Sequence, residues 1–212
     1  MDANGVADLR GVLARVQSDF ERLRTDIARR LHGDLGGSLT AVRLSLDALG
    51  REHSIPAEMM AALSAQLDAA MRVKQELVES LRPSLLDHFG VGIALSTRFE
   101  AGCRAGAVPF GADVDPRLPS LAPGQAILLY RLGEAILRSL LGTSVRSMRL
   151  VLEAVPGGVA LVVDHEGGVV DGSVEPEMLP LRCWLDHAGG RMEAASGAVA
   201  ARVAVMLPTA VA

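Results

Sequence analysis

One histidine, His32, lies in the middle of a long segment that has the spacing of an amphipathic helix. An imidazole titrates near neutral pH and can act as a nucleophile without help from a metal. The apolar residues of the segment recur at steps of three and four, which is typical of a helix packed along one stripe: Ile27, Leu31, Leu35, Leu39, Val42, Leu46 and Leu49. Since His32 directly follows a stripe residue, we expect it at the edge of a helical bundle, open to a partner.

Small residues follow the histidine closely. Gly33, Gly36 and Gly37 each cost a helix about 1 kcal/mol relative to alanine, so three within two turns need a reason. Together with Thr40 they predict a small, open surface beside His32. That surface would let a partner domain come close.

Charged residues lie on either side of the same histidine. Arg29 and Arg30 precede it by about one turn, and they either attract an acidic partner or are simply solvated. Asp34 either orients the imidazole or is a solvated helix charge. The residues alone leave both alternatives open.

Composition narrows the class of protein. Among the 212 residues, 50% are apolar and only 3% aromatic, which favours a helical and α/β core over an all-β one. The net charge of −4 gives no electrostatic reason to expect nucleic-acid binding. Cys103 and Cys183 are far apart and show no metal-ligand spacing, which predicts a reduced, cytoplasmic protein. We predict no signal peptide, no membrane insertion and no metal of its own.

The first part of the chain predicts a helical hairpin. One long helix is expected over 7–50, a turn over 51–56 and a second helix over 57–81. The apolar stripe of the second helix can face that of the first: Met60, Leu63, Leu67, Ala70, Leu77 and Leu81. A two-helix hairpin cannot bury such stripes alone, so two hairpins pairing into a dimeric four-helix bundle is the simplest solution. The alternative is a hairpin that packs only against its own second half.

The remainder predicts a small α/β sandwich. Helices are expected over 91–101 and 125–141, and strands over 149–154 and 158–164 with a turn at Pro156 to Gly158. A final helix closed by Gly189 and Gly190, and a strand over 198–207, complete the order. We therefore predict an α+β protein with domains at 1–84 and 85–212.

The segment around His32 resembles the dimerisation and phosphoacceptor helix of sensor histidine kinases, in the class that includes bacterial nitrate sensors and the desaturase-regulating thermosensor. Ten positions match that motif: Ile27, Ala28, Arg29, Leu31, His32, Asp34, Leu35, Gly36, Ser38 and Leu39. Two positions depart from it. Gly33 replaces the acidic residue beside the histidine, and Gly37 replaces the glutamine that would orient a hydrolytic water. The resemblance implies a phosphorylated His32, but the departures argue against both autophosphorylation and phosphatase activity.

The second half resembles the ATP-binding domain of the same kinases, although its motifs are degraded. Tyr130, Arg131, Glu134 and Ala135 match the metal-binding helix, but Arg138 occupies the place of the metal-binding asparagine. A guanidinium carries only donors, so it cannot bind Mg²⁺. Asp164 matches the adenine-reading aspartate and is expected to be a remnant, since Glu166 replaces the first glycine after it. The stretch over 171–180 lacks a phosphate-binding glycine loop.

These features predict a degenerate histidine-kinase core that serves as a homodimeric histidine phosphotransfer protein in a two-component phosphorelay. His32 would exchange phosphoryl groups with aspartates of receiver domains, without ATP or any cofactor of its own, while the receiver supplies Mg²⁺. One alternative is a divergent ATP-dependent sensor kinase, and another is a non-catalytic adaptor that binds a response regulator.

His165 is expected at the surface, and Tyr130, Trp184 and Met192 in the core.

Overall fold

A computed structural model describes residues 3–52, 55–167, 178–196 and 200–209. The chain divides into two compact units, Phe20–Ser84 and the combination of Met1–Asp19 with Leu85–Ala212. The boundary after Ser84 is the position that the sequence suggests. The first 19 residues group with the larger unit, whereas the sequence analysis places them with the hairpin.

Three helices and one wide helical turn make up the first part of the chain: α1 (Ala3–Arg30), the π-turn (Leu31–Leu35), α2 (Gly36–Glu52) and α3 (Ala57–Leu81). Arg43 on α2 donates to Asp68 on α3 over 2.7 Å. Arg82, just after α3, donates to Thr25 on α1 over 2.8 Å. The predicted second helix is confirmed from its first to its last residue, but the predicted turn includes residues 53 and 54, which lie outside the described residues.

The π-turn interrupts what the sequence predicts as one regular helix. The backbone N–H of Gly36 donates to the carbonyl of Leu31, five residues earlier, so this turn is wider than an α-helical turn. The apolar stripe explains why. From Ile27 to Leu39 its members are four residues apart, and each such step drifts by about 40° around an α-helix. A wider turn rotates less per residue and therefore reduces this drift.

The second unit contains a five-stranded sheet and three helices: α4 (Ser84–Ala105), β1 (Phe110–Val114), α5 (Pro123–Leu141), β2 (Ser147–Val155), β3 (Gly158–Glu166), α6 (Leu179–His187), β4 (Arg191–Ser196) and β5 (Ala200–Pro208). The strand order is β1-β2-β3-β5-β4, with β1 parallel to β2 and the other pairs antiparallel. The β2–β3 turn contains Gly157, whose φ of +78° suits a residue without a side chain.

Three elements differ from their predicted form. β1 and β4 were not predicted; β1 exposes four of its five residues, and β4 follows the two glycines that were expected to close the last helix. The helix predicted over 91–101 is part of the longer α4, which bends at Gly90 where φ is +79°. The α+β class is confirmed. Within the described residues, no helix is long and apolar enough to cross a membrane.

One face of the sheet carries the core. Alternate residues of β2, β3 and β5 are buried there with α4 and α5, which is the pattern of a half-covered sheet: Met148, Leu150, Leu152, Val159, Leu161, Val163, Val203, Val205 and Leu207. Tyr130 belongs to this core, and Trp184 and Met192 pack against it, as predicted. The helices approach closely at Gly133 on α5, where an added Cβ would lie 2.5 Å from Leu95 on α4.

Gly133→Ala is expected to lower the free energy of unfolding by about 1–2 kcal/mol, because overpacking against fully buried Leu95 outweighs the gain in helix propensity. Chemical denaturation measures this value. Gly124→Ala is the control on the same helix, since its Cβ would meet no atom within 4 Å. If Gly133→Ala were as stable as the parent, α4 and α5 would not be in close contact there.

Candidate functional site

His32 is the second residue of the π-turn, and its side chain is exposed. Within the described chain it forms no hydrogen bond and no ion pair. A side chain that has no hydrogen-bond partner within its own chain can bind a group that arrives from outside. The imidazole is therefore presented to solvent, as the sequence predicts.

The glycines beside His32 are not required by internal packing. A Cβ at Gly33 or Gly37 would meet no atom within 4 Å, so both positions face open space. Gly36 differs, because its Cβ would lie 3.4 Å from Nζ of Lys74, a residue of α3. The surface next to the imidazole is therefore largely backbone, with one ammonium group at its border.

Two hydroxyl groups bind the backbone of the same region. Ser38 Oγ donates to the carbonyl of Asp34, and Thr40 Oγ donates to the carbonyl of Gly36, each over 2.9 Å. Such bonds to the preceding turn engage hydroxyl groups that would otherwise face a partner. Thr40 thus lies at the predicted surface, but its hydroxyl proton is already used within the helix.

The charged residues around His32 are arranged loosely. Arg29 lies 3.8 Å from Asp26, and both side chains are mostly exposed. Arg30 is exposed and forms no ion pair within the described chain. Asp34 forms no hydrogen bond with the imidazole, since residues two apart on a helix do not face each other. Of the two alternatives for Asp34, the solvated charge describes this structure.

Asp164 lies on the outer face of the sheet, opposite the core. It accepts bonds of 2.6 and 3.1 Å from Arg202 on β5, and this carboxylate raises the pKa of the Arg202 guanidinium. Its neighbour on β2, Arg149, pairs in turn with Asp113 on β1. The two ion pairs form a row of alternating charge across four strands, and Asp164 is engaged in it.

His165 corrects an expectation, because it is buried with only 2% of its surface exposed. Side chains alternate along a strand, so His165 shares the inner face with Leu161 and Val163. Its Nδ1 lies 2.9 Å from the carbonyl of Gly167, while its Nε2 has no hydrogen-bond partner among the residues that the structure describes. The alternation of β3 could have predicted this burial.

The residues that match the kinase metal-binding helix form an ion-pair cluster on α5. Glu134 accepts from Arg131 over 2.9 Å and from Arg98 over 3.0 Å, while Arg138 is exposed. The described residues contain no group of three His, Cys, Asp or Glu side chains that could hold a metal ion. Most of the predicted 171–180 stretch, residues 171–177, lies outside the described residues.

Sequence reasoning missed Lys74, which the structure brings to the border of the His32 region. A signal was present, since Lys74 is the only lysine in the chain. Its proximity to Gly36 depends on the register between α2 and α3, which helical periodicity alone does not define.

Comparison with known proteins adds information on the fold. No protein-family model and no curated protein matches this sequence. The histidine kinase domain of the Erythrobacter litoralis EL346 blue-light activated histidine kinase aligns with a TM-score of 0.51 at 16% identity, covering 90% of this chain and 93% of that one. The catalytic domain of the histidine kinase ThkA gives 0.47 at 12% identity, covering 56% of this chain and 90% of that one. The first alignment shows a histidine-kinase-like fold, with helices followed by an ATPase-like α/β domain.

Gly37→Ala is expected to raise the free energy of unfolding by up to about 1 kcal/mol, because alanine favours the helix and the position faces open space. Thermal unfolding provides the measurement. Gly11→Ala on α1 is the control, since its Cβ also meets no atom within 4 Å. A destabilised Gly37→Ala protein beside a stabilised Gly11→Ala protein would mean that packing within the chain requires Gly37.

Proposed function

We propose that this chain is a homodimeric histidine phosphotransfer protein that exchanges phosphoryl groups between His32 and the aspartates of receiver domains, without using ATP. The observation that carries the proposal is an exposed imidazole without an internal partner, on a glycine-rich wide turn of a histidine-kinase-like fold. Arg29, Arg30, Gly33, Gly36, Gly37 and Thr40 form the proposed docking surface.

Phosphoryl transfer depends mainly on positioning and charge neutralisation. The unprotonated ring nitrogen of His32 attacks phosphorus, the bond to the receiver's aspartyl oxygen breaks, and its electron pair returns to the carboxylate. The receiver brings Mg²⁺ together with its aspartate. A well-presented imidazole therefore needs little further chemistry from its own chain, and the open backbone at Gly33 and Gly37 permits close approach.

Features of the second unit support the absence of ATP from this scheme. Asp164, which matches the adenine-reading aspartate, is paired with Arg202 on the outer face of the sheet. Arg138 stands in place of a metal-binding asparagine and offers only donors. Glu166 adds negative charge where the kinases have glycine. We propose that this unit is a structural remnant that helps to dock the receiver.

Exposed apolar residues support a homodimer. Within the described part of the hairpin few side chains are buried, among them Ala28 of α1 and Leu67 and Val78 of α3. Large members of the predicted stripes remain exposed in the single chain: Ile27, Leu35, Val42, Leu49, Leu63 and Leu77. A soluble protein rarely leaves so much apolar surface uncovered. Pairing with a second hairpin buries it, and the alternative of a self-contained hairpin leaves it in water.

The apolar residues of α1 add a second argument for pairing. They recur with an 11-residue period that suits long paired helices with little supercoil: Leu9, Val12, Val16, Phe20, Leu23 and Ile27. All six are exposed in the single chain. An apolar stripe of this length needs a partner helix, and an identical helix has the matching period.

His32→Ala is expected to abolish transfer of phosphate from a phosphorylated receiver domain, because no other group replaces the attacking nitrogen. Gel electrophoresis after incubation with ³²P-labelled receiver measures the label that reaches this chain. His187→Ala is the control, since it removes an exposed histidine of the second unit. Labelling that persists in His32→Ala would rule out the proposed site.

The alternatives differ from this proposal in measurable ways. A divergent kinase would bind ATP, so heat release on titration of the parent protein with Mg-ATP would favour it, with Asp164 reading adenine. An adaptor would bind the receiver without becoming labelled. The proposed phosphotransfer protein shows no heat of ATP binding and becomes labelled on His32.

Val42→Glu is expected to convert the dimer into a 22.2-kDa monomer, because the new charge enters the apolar interface between hairpins. Light scattering after size exclusion measures the mass. Leu44→Glu is the matched control, since Leu44 is 63% exposed and Val42 55%, and two residues along α2 they face nearly opposite ways. Equal masses for both variants would contradict pairing through the predicted stripe.

A further inference from the structure

Lys74 is unusual in this chain. The sequence holds 21 basic residues, and Lys74 is the only lysine among them. It lies on α3 and is half-buried, in the unit that also carries His32. Lysine can bury its aliphatic stem while its ammonium group stays in water, so the surroundings of Nζ decide what this group can bind.

The ammonium lies beside Gly36, the residue that follows the wide turn carrying His32. Nζ is 3.4 Å from the point where a Cβ of Gly36 would be, and the same point is 3.9 Å from the carbonyl of Leu31, which closes that turn. Gly36 follows His32 by four residues, and such positions have Cβ atoms about 5–6 Å apart on one helix face. A side chain larger than alanine at position 36 would push the ammonium away.

No anion within the described chain neutralises Lys74. It forms no hydrogen bond and no ion pair there. The residues three and four positions away on α3 could have supplied a carboxylate, but all are apolar: Ala70, Met71, Leu77 and Val78. The ammonium therefore remains available for an anion that arrives at the turn.

We infer that Lys74 is the cation that binds the phosphoryl group while His32 carries it, an inference that rests on the proposed function. A phosphoryl group on the imidazole exposes three negatively charged oxygens, and the ammonium has three donors that rotate to meet them. During transfer the P–O bond to the receiver breaks as the P–N bond forms, and the oxygens keep their charge. When the receiver leaves, it takes its Mg²⁺ away. Lys74 then supplies the positive charge beside the phosphoryl oxygens on His32.

The inference can be tested without a receiver. Phosphoramidate phosphorylates histidine chemically, and ³¹P NMR follows ionisation of the phosphoryl group, with the His32 resonance identified by its loss in His32→Ala. In Lys74→Gln the phosphoryl pKa is expected to rise by about one unit, because a nearby positive charge favours the dianion. Lys74→Arg should retain most of the parental value. Arg72→Gln removes an exposed positive charge two residues away and should leave the titration unchanged.

A second measurement uses the receiver. At equilibrium the label distributes between His32 and the receiver's aspartate, and Lys74→Gln is expected to shift this distribution about tenfold toward the receiver. Identical ³¹P titrations and identical distributions for the parent and Lys74→Gln would overturn the inference. Failure of the proposed function would be distinct, since it would appear as transfer that survives His32→Ala.

Discussion

The region around His32 depends on a conflict between apolar spacing and helix geometry. From Ile27 to Leu39 the apolar residues are four apart, and three such steps would carry the stripe about 120° around an α-helix. The helix widens over one turn instead, and a wider turn rotates less per residue, which reduces this drift. The hydroxyl of Ser38 binds the carbonyl of Asp34 within this turn, and the hydroxyl of Thr40 binds that of Gly36, which directly follows it. His32 belongs to the widened turn, and Gly36, the residue that directly follows this turn, has Lys74 beside it.

The two units obtain their stability in different ways. In the second unit, the inner face of the sheet and the helices form a continuous apolar core that includes Leu161 and Val163. Ligand-reading positions of kinases such as Asp164 lie outside that core and can change without unfolding it. The hairpin has few buried residues and exposes its stripes, and this is the apolar surface that the proposed dimer would bury. In the proposed function, positions outside this core lose their nucleotide-binding role, while the hairpin keeps the docking surface around His32.

Sequence periodicity predicted the long elements well. The limits of α3 and the strands around Gly157 follow from apolar repeats and turn residues, which are local properties. β1 was not predicted because four of its five residues are exposed, so it lacks an alternating apolar pattern. β4 was not predicted because Arg191 to Ala195 also favour a helix. The proximity of Lys74 to Gly36 is set by how two helices pack, which no single-chain repeat encodes. The candidate site residues are thus predictable as one face of a helix, but the position of Lys74 beside Gly36 is not.

The bare backbone at Gly33 and Gly37 has a consequence for selectivity. A partner is rejected mainly through clashes and unpaired charges, and a surface with few side chains offers little of either. In the proposed function, the area next to the imidazole therefore accepts any receiver of suitable shape, and discrimination among receivers falls to residues farther along the hairpin. Such a chain is suited to act as a junction at which several signalling branches converge.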